Sequence, residues 1–188
     1  TLAEELGAHK LVRVMEVCGS HTMAIARYGI RTLLPKNVAL ISGPGCPVCV
    51  TDSGYIDCAV DLAGRGVLIA TFGDMMKVPG TSANLAQAAA KGAKVVVCYS
   101  PKETLELARC NTDRETVFLA VGFETTIAPV ISVLDQAVKA GLRNISFLTA
   151  FKVIPPALQM LAADPDIQID AFLCPAHVSA IIGAKAYR

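Results

Sequence analysis

The chain has 188 residues, of which 53% are hydrophobic and 18% are charged, and its net charge at pH 7 is +1. This composition is sufficient to bury a hydrophobic core, and the length also suits two small domains. The scattered Lys and Arg residues exclude the basic stripe that follows a nucleic-acid backbone. Each apolar run is interrupted before the roughly 18 to 20 residues that a membrane span needs. We therefore expect neither nucleic acid nor membrane as a partner.

The cysteines and the first residues bear on the cellular compartment. Seven cysteines is an odd number, and most stand singly in apolar runs, which is typical of a reducing compartment. Glu4, Glu5 and His9 replace the basic and apolar regions of a secretory signal. The sequence therefore predicts a cytoplasmic location.

Short apolar, β-branched runs predict seven strands, and most of them alternate with segments of helical periodicity. The strands are predicted at residues 12–17, 38–42, 67–72, 95–99, 116–121, 145–149 and 169–173. Strands that are apolar on both faces and are joined by helices predict mostly parallel sheets in an α/β fold.

Three predicted helices have definite features. One extends over residues 53–65, and a second is predicted to begin at Ser100, because Glu103 completes a capping box there. The third follows Thr126 and ends at Gly141. Its predicted buried face consists of Val130, Val133, Leu134, Ala137 and Val138.

Loops of similar order follow the strands in the two halves of the chain. The first three strands end near Cys18, Cys46 and Asp74, and later strands end near Glu124 and His177. This order predicts two similar Rossmann-like domains related by internal duplication, at residues 1–100 and 101–188, with the second truncated. Ligand sites in such folds lie at the carboxyl ends of strands, so we expect the two domains to face a central cleft lined by these loops.

Cys46 and Cys49 have C-x-x-C spacing in a loop between a strand and a helix. This arrangement suits a reversible thiol pair, a transition-metal site or half of a structural zinc site. Cys18 and His21 form a C-x-x-H motif that could complete a Cys3His zinc set. From the residues alone, the three interpretations stay open.

Cys18 has a second feature of its own. It follows an apolar strand and precedes Gly19, Ser20, His21 and Thr22, which are small or polar. We expect an exposed thiol at the strand end, with His21 able to act on it or to share a metal. The alternative is that Cys18 packs as a small hydrophobic residue and that His21 caps a helix.

The other candidate positions each have a structural and a functional interpretation. Asp74 and Pro79 suit a loop, and Asp74 is also a candidate carboxylate near a metal. Glu124, followed by Thr125, would stabilise the start of a helix or line the site, and His177 would cap a helix or line it. Cys58, Cys98 and Cys110 are predicted to be inert core thiols.

Five motifs occur in order over most of the chain. They are Cys-Gly-Ser-His-Thr at 18–22, Gly-Pro-Gly-Cys-Pro-Val-Cys at 43–49, Phe-Gly-Asp-Met-Met-Lys-Val-Pro-Gly at 72–80, Gly-Phe-Glu-Thr-Thr at 122–126 and Pro-Ala-His-Val-Ser at 175–179. In composition and order they resemble the motifs of the HypD family of hydrogenase-maturation proteins.

The resemblance implies a scaffold on which the Fe(CN)2CO group of nickel-iron hydrogenases is assembled, with the chaperone HypC as partner and HypE as cyanide donor. Cys18 would bind the iron, and Cys46 and Cys49 would be its redox pair. His21 and Glu124 would line the cleft. The remaining residues around the group would be Gly19, Ser20, Thr22, Asp74, Pro79, Thr125 and His177.

The resemblance also implies a third domain with a four-iron four-sulfur cluster. This chain contains no four-cysteine ligand set for the cluster, so we expect that domain to be missing from it. Two other functions compete with the scaffold: a protein thiol-disulfide oxidoreductase and a structural Cys3His zinc module.

Overall fold

The computed structural model describes residues 11–188, so Glu4, Glu5 and His9 lie outside the described residues. Within this range, the chain divides into two compact units. The first unit consists of residues 11–46 and 153–188, and the second unit consists of residues 47–152. No helix within residues 11–188 is both long and apolar enough to span a bilayer.

Seven strands lie at the positions that the sequence predicts, with ends that differ by no more than two residues. They are β1 (Val12–Glu16), β2 (Val38–Ser42), β3 (Leu68–Thr71), β4 (Val95–Val97), β5 (Thr116–Gly122), β6 (Ile145–Phe151) and β7 (Ala171–Leu173). The α-helices of the described residues are α1 (Gly19–Arg27), α2 (Ile30–Leu33), α3 (Ser53–Gly64), α4 (Leu85–Ala90), α5 (Glu103–Cys110), α6 (Glu124–Lys139), α7 (Ile154–Ala163) and α8 (Ala176–Ile182). Short 3-10 helices form at Gly73–Lys77 and Ala184–Tyr187.

The strands form two parallel sheets, which confirms the α/β fold class. The first unit has the order β2-β1-β7, and the second unit has the order β4-β3-β5-β6. This grouping differs from the predicted ranges 1–100 and 101–188, because β7 returns to pair with β1 and β3 pairs with β5. The internal duplication and the central cleft stay predictions.

The core of the second unit explains why its strands are apolar on both faces. β5 lies between β3 and β6, and every residue in it is buried. Val117, Leu119 and Val121 pack with α3 on one face. On the other face, the Phe118 ring makes edge-to-face contacts with Phe72 and Phe147, at centroid distances of 5.3 and 6.3 Å. Burial on both faces requires a continuous apolar run instead of an alternating one.

Two helix predictions need correction. α5 begins at Glu103, three residues after the predicted start at Ser100. The bond that the predicted capping box requires of Glu103 is present, because its carboxylate accepts from the backbone N–H of Ser100 at 2.9 Å, and it also accepts from that of Tyr99 at 2.9 Å. These bonds hold a turn ahead of the helix. α6 begins earlier than predicted, at Glu124, and its predicted buried face was too wide, because Leu134 and Val138 are exposed.

Candidate functional site

Cys18 occupies a strained turn between β1 and α1. Its φ of 127° and ψ of 132° lie where side chains other than glycine are rarely found, and it is the one non-glycine residue with positive φ among residues 11–188. Such a conformation costs of the order of 1–3 kcal/mol and persists only where the surrounding structure enforces it. Cys18 is half-buried, and its Sγ lies 3.0 Å from Ser20 Oγ. The turn thus presents a polar-contacted thiol at the carboxyl end of β1.

A backbone contact joins the Cys18 turn to the loop that leads into Cys46. Gly19 N–H donates to the Gly45 carbonyl at 3.1 Å. A Cβ on Gly45 would lie 2.8 Å from Gly19 N and 3.1 Å from the carbonyl carbon of Cys18, so only glycine permits this approach. The fold therefore brings together the Cys18 and Gly45–Cys46 backbones.

A buried carboxylate lies between the same two loops. Glu16, at the end of β1, is 0% exposed, and Thr22 Oγ1 donates to its two oxygens at 3.0 and 2.8 Å. Ser42 Oγ at the end of β2 donates to Glu16 Oε1 at 2.7 Å. Arg31 Nη2 lies 4.0 Å from Glu16 Oε1, and it donates to Ser42 Oγ at 3.3 Å. These partners compensate the burial of a charge.

Cys46 and Cys49 are disulfide-bonded, and the other five cysteines of the chain are free. Cys46 is half-buried, whereas Cys49 is exposed. Disulfide sulfurs are not thiolate ligands, and the described residues 11–188 contain no group of three or more His, Cys, Asp or Glu side chains that could hold a metal. They therefore form neither the Cys3His zinc set nor a cluster ligand set.

Cys49 lines a cavity of about 490 Å³ in the second unit. Asp74, Lys77 and Pro79 line the same cavity, so the structure brings two predicted site residues, Asp74 and Pro79, beside the exposed cysteine. The rest of its wall consists of Val48, Thr51, Ser53 and Val78.

His21 lies in the first turn of α1, where its Nδ1 is buried and has no hydrogen-bond partner within the described residues. Buried polar atoms normally have a partner, so this nitrogen is available to a ligand or a water. Ser20 is exposed, and Thr22 is half-buried and bonded to Glu16.

The later candidates lie at the starts of two helices. Glu124 is buried at the start of α6, and Thr125 beside it is half-buried. A Cβ on Gly122 would lie 2.3 Å from Thr126 Oγ1, so the motif requires glycine for packing. His177 is exposed in the first turn of α8.

The three predicted core thiols differ from one another. Cys98 is buried, and mainly because of that burial its pKa is raised to about 11, with a smaller contribution from the charge of Glu103. Cys58 and Cys110 are exposed, so the prediction of burial was wrong for both. They lie on the exposed faces of α3 and α5. A single cysteine in a helical segment does not indicate which face of the helix it occupies.

The sequence model of the family described as "HypD: Hydrogenase formation hypA family" matches residues 1–188 of this chain. The chain belongs to the HypD family. The hydrogenase maturation factor HypD of Azotobacter vinelandii is 48% identical over 193 residues, which cover 99% of this chain and 51% of that protein. The factor of the same name from Escherichia coli K12 is 47% identical over 181 residues, which cover 96% of this chain and 48% of that protein.

A more distant relative matches a similar share of this chain. A putative hydrogenase expression/formation protein of Methanocaldococcus jannaschii is 40% identical over 176 residues, which cover 94% of this chain and 49% of that protein. This HypD-family chain thus spans about half the length of the curated relatives it matches.

Sequence reasoning did not single out Glu16 or Lys77. The available indication for Glu16 was an acidic residue inside an apolar strand run, which must find hydrogen-bond donors if it is buried. Lys77 gave no such indication, because it is an exposed lysine like many others, and only its place in the same cavity wall as Cys49 distinguishes it.

Proposed function

We propose that this chain is the part of a HypD-type maturation factor that handles iron during assembly of the Fe(CN)2CO group of nickel-iron hydrogenases. Cys18 binds the iron through its thiolate, and Cys46 and Cys49 form the redox pair. The iron and its diatomic ligands are the cargo of the scaffold. Membership in the HypD family supports the maturation role, and the geometry around Cys18 supports the assignment of residues.

The contact between Gly19 and Gly45 is the observation that carries the proposal. It holds the Cys18 backbone against the loop that ends in Cys46. A thiolate that binds iron and a thiol pair that exchanges electrons with it need to be close to each other, and this contact supports that requirement. The strained conformation of Cys18 supports a functional role, because strain without function would be expected to be lost.

If this chain supplies a single thiolate, the other coordination positions of the iron stay open for the diatomic ligands and for a ligand from a partner protein. We infer that the chaperone HypC supplies the second protein thiolate and that HypE delivers cyanide. Thiolates are soft ligands that suit such iron chemistry. A site of this kind requires no group of three metal ligands from this chain.

The remaining predicted site residues have supporting roles in this proposal. His21 offers its buried Nδ1 near Cys18, and Gly19, Ser20 and Thr22 form the turn around the thiol. Asp74 and Pro79 lie beside Cys49, and Glu124, Thr125 and His177 complete the proposed surroundings. The cytoplasmic location inferred from cysteine usage belongs to the same proposal.

The four-iron four-sulfur cluster of the family does not fit the described residues. Their free cysteines are Cys18, Cys58, Cys98, Cys110 and Cys174, and they do not form a metal-ligand group. The proposed function therefore includes no electron transfer from a cluster bound by residues 11–188.

Infrared spectroscopy of the iron-loaded protein tests the proposal. The protein would be purified without oxygen together with a HypC chaperone, and spectra would be recorded in the cyanide and carbonyl stretching regions. We expect these bands in the wild-type complex and their loss in Cys18→Ala, with Cys58→Ala as a matched control that retains them. Bands that persist in Cys18→Ala would contradict the role of Cys18.

One observation favours a second function, a protein thiol-disulfide oxidoreductase. Cys49 is the more exposed residue of the pair and lines a cavity, and thiol-disulfide exchange requires such access. This function predicts that disulfide reductase activity toward a protein substrate is lost in Cys49→Ser and unchanged in Cys18→Ala. Dependence of the physiological activity on Cys18 would exclude it.

A further inference from the structure

We propose that the cavity beside Cys49 binds a small amino-acid-derived thiol, which carries a carboxylate and an ammonium group and reduces the Cys46–Cys49 disulfide. This inference rests on the redox role proposed above for the pair. It adds a ligand class and a direction of attack.

The different exposure of Cys46 and Cys49 decides which of the two cysteines is attacked. Cys49 is exposed and lines the cavity, whereas Cys46 is half-buried and is not part of its wall. Thiol-disulfide exchange requires access to the attacked sulfur. A nucleophile that enters the cavity therefore reaches Cys49 before Cys46, so the attack falls on Cys49 and Cys46 is the leaving sulfur.

The size of the cavity suits a small molecule. Its volume of about 490 Å³ falls within the range of about 300–1,000 Å³ that is typical of small-molecule pockets. Val48, Val78 and Pro79 give it apolar surface for methylene groups, and Thr51 and Ser53 add hydroxyl groups.

The charges of the wall select the ligand class. Lys77 and Asp74 both line the cavity, and neither forms an ion pair with another side chain of the described range, 11–188. A purely anionic thiol would be attracted by Lys77 and repelled by Asp74, and a cationic thiol would meet the reverse. A ligand with one group of each sign satisfies both residues, as amino-acid-derived thiols do.

The exchange takes place in two balanced steps. The first thiolate attacks Cys49 Sγ, the Cys46–Cys49 bond breaks, and Cys46 leaves as a thiolate. A second thiolate then attacks the ligand sulfur of the mixed disulfide and releases Cys49. Two small thiols are oxidised to one small disulfide, and the protein disulfide gains the two electrons and, after protonation, the two protons.

Rates of reduction with matched thiols test the binding site. L-cysteine would be compared with the uncharged 2-mercaptoethanol, and loss of the protein disulfide would be followed by alkylation and mass spectrometry. The ratio of the two rates corrects for a general change in reactivity of the disulfide. We expect this ratio to fall at least fivefold in Lys77→Met and in Asp74→Asn, and to stay unchanged in Lys91→Met, which removes an exposed lysine elsewhere in the second unit.

The direction of attack has its own test. Cystine would be added to reduced Cys46→Ser and to reduced Cys49→Ser, and the mixed disulfides would be quantified. We expect the adduct on Cys49 to form at least tenfold faster than the adduct on Cys46. Equal rate ratios in the wild type, Lys77→Met and Asp74→Asn, or faster labelling of Cys46, would overturn the inference.

These assays need no iron, so they separate the two proposals. If 2-mercaptoethanol still reduces the disulfide but the variants do not change the rate ratio, the proposed ligand is contradicted and the redox role of Cys46 and Cys49 is retained. If no thiol reduces the disulfide in the native protein, both the proposed ligand and the proposed redox role are contradicted.

Discussion

Ser42 Oγ donates a 2.7 Å hydrogen bond to Glu16 Oε1, and the two residues are register partners at the carboxyl ends of β2 and β1. Ser42 directly precedes the loop to Cys46, and Thr22, the other hydroxyl donor to Glu16, follows Cys18 in α1. One buried carboxylate thus fixes the starts of both cysteine-bearing loops.

Replacement of Glu16 tests this connection. In Glu16→Ala, the hydroxyl groups of Ser42 and Thr22 lose their acceptor and a cavity replaces the side chain, so we expect the free energy of unfolding to fall by about 2–4 kcal/mol. Urea denaturation measures the change. Glu106→Ala is the control, because Glu106 is exposed and its one ion pair within residues 11–188 is with Arg109 at the surface. A loss no larger than that of the control would show that Glu16 does not hold the loops.

Substitution of Cys18 separates backbone strain from thiol chemistry. Cys18→Gly and Cys18→Ala both remove the sulfur, but only glycine adopts a φ of 127° without strain. We therefore expect Cys18→Gly to have a free energy of unfolding about 1–2 kcal/mol higher than Cys18→Ala, by chemical denaturation. Equal stabilities would mean that the turn is not strained in solution. Neither variant should bind iron.

Gly45→Ala tests the contact between the two loops. The added Cβ would meet Gly19 N at 2.8 Å, and because that neighbour is backbone, we expect the loops to separate and the free energy of unfolding to fall by about 1–3 kcal/mol. The alkylation rate of Cys18 should rise as its turn loosens.

Gly64→Ala is the matched control for this substitution. Apart from its own helix backbone and chain neighbours, no atom of residues 11–188 lies within 4 Å of the added methyl group, and alanine in a helix is favoured over glycine by roughly 0.5–1 kcal/mol. A Gly45→Ala protein as stable as Gly64→Ala would contradict the close approach.

Cys98 gives a prediction that depends on pH. Because burial raises its pKa to about 11, almost none of the thiol is ionised at pH 8, and we expect iodoacetamide to label Cys98 only after unfolding, while Cys58 and Cys110 are labelled in the native protein. The unfolded thiol ionises near 9, so the folded state retains the proton between pH 9 and 11. The free energy of unfolding should therefore fall as pH rises through that interval.

The variant Cys98→Ala removes the thiol, and with it the difference in ionisation between the folded and unfolded states. Its free energy of unfolding should decrease less steeply between pH 9 and 11 than that of the wild type. Parallel curves for the two proteins, or native labelling of Cys98 at pH 8, would contradict the raised pKa.

The helix and strand positions followed closely from local patterns, and the exposure of individual side chains did not. The apolar run of β5 was sufficient to place a strand buried on both faces, because its neighbours on each side are also apolar. On α6, by contrast, Leu134 and Val138 continue the apolar pattern and yet are exposed, because the packed face of the helix is narrower than the pattern.

The sequence by itself determined the α/β class, the seven strands and the loops that carry Cys18, Cys46 and Cys49, because periodicity and turn residues act over a few positions. Only the tertiary structure decided that β7 pairs with β1, that Glu16 is buried beneath two hydroxyl groups, and that Lys77 shares a cavity with Cys49. These relationships join residues far apart in the chain. They depend on which strands hydrogen-bond and on which side chains face the same buried site or the same cavity, and local sequence does not specify either.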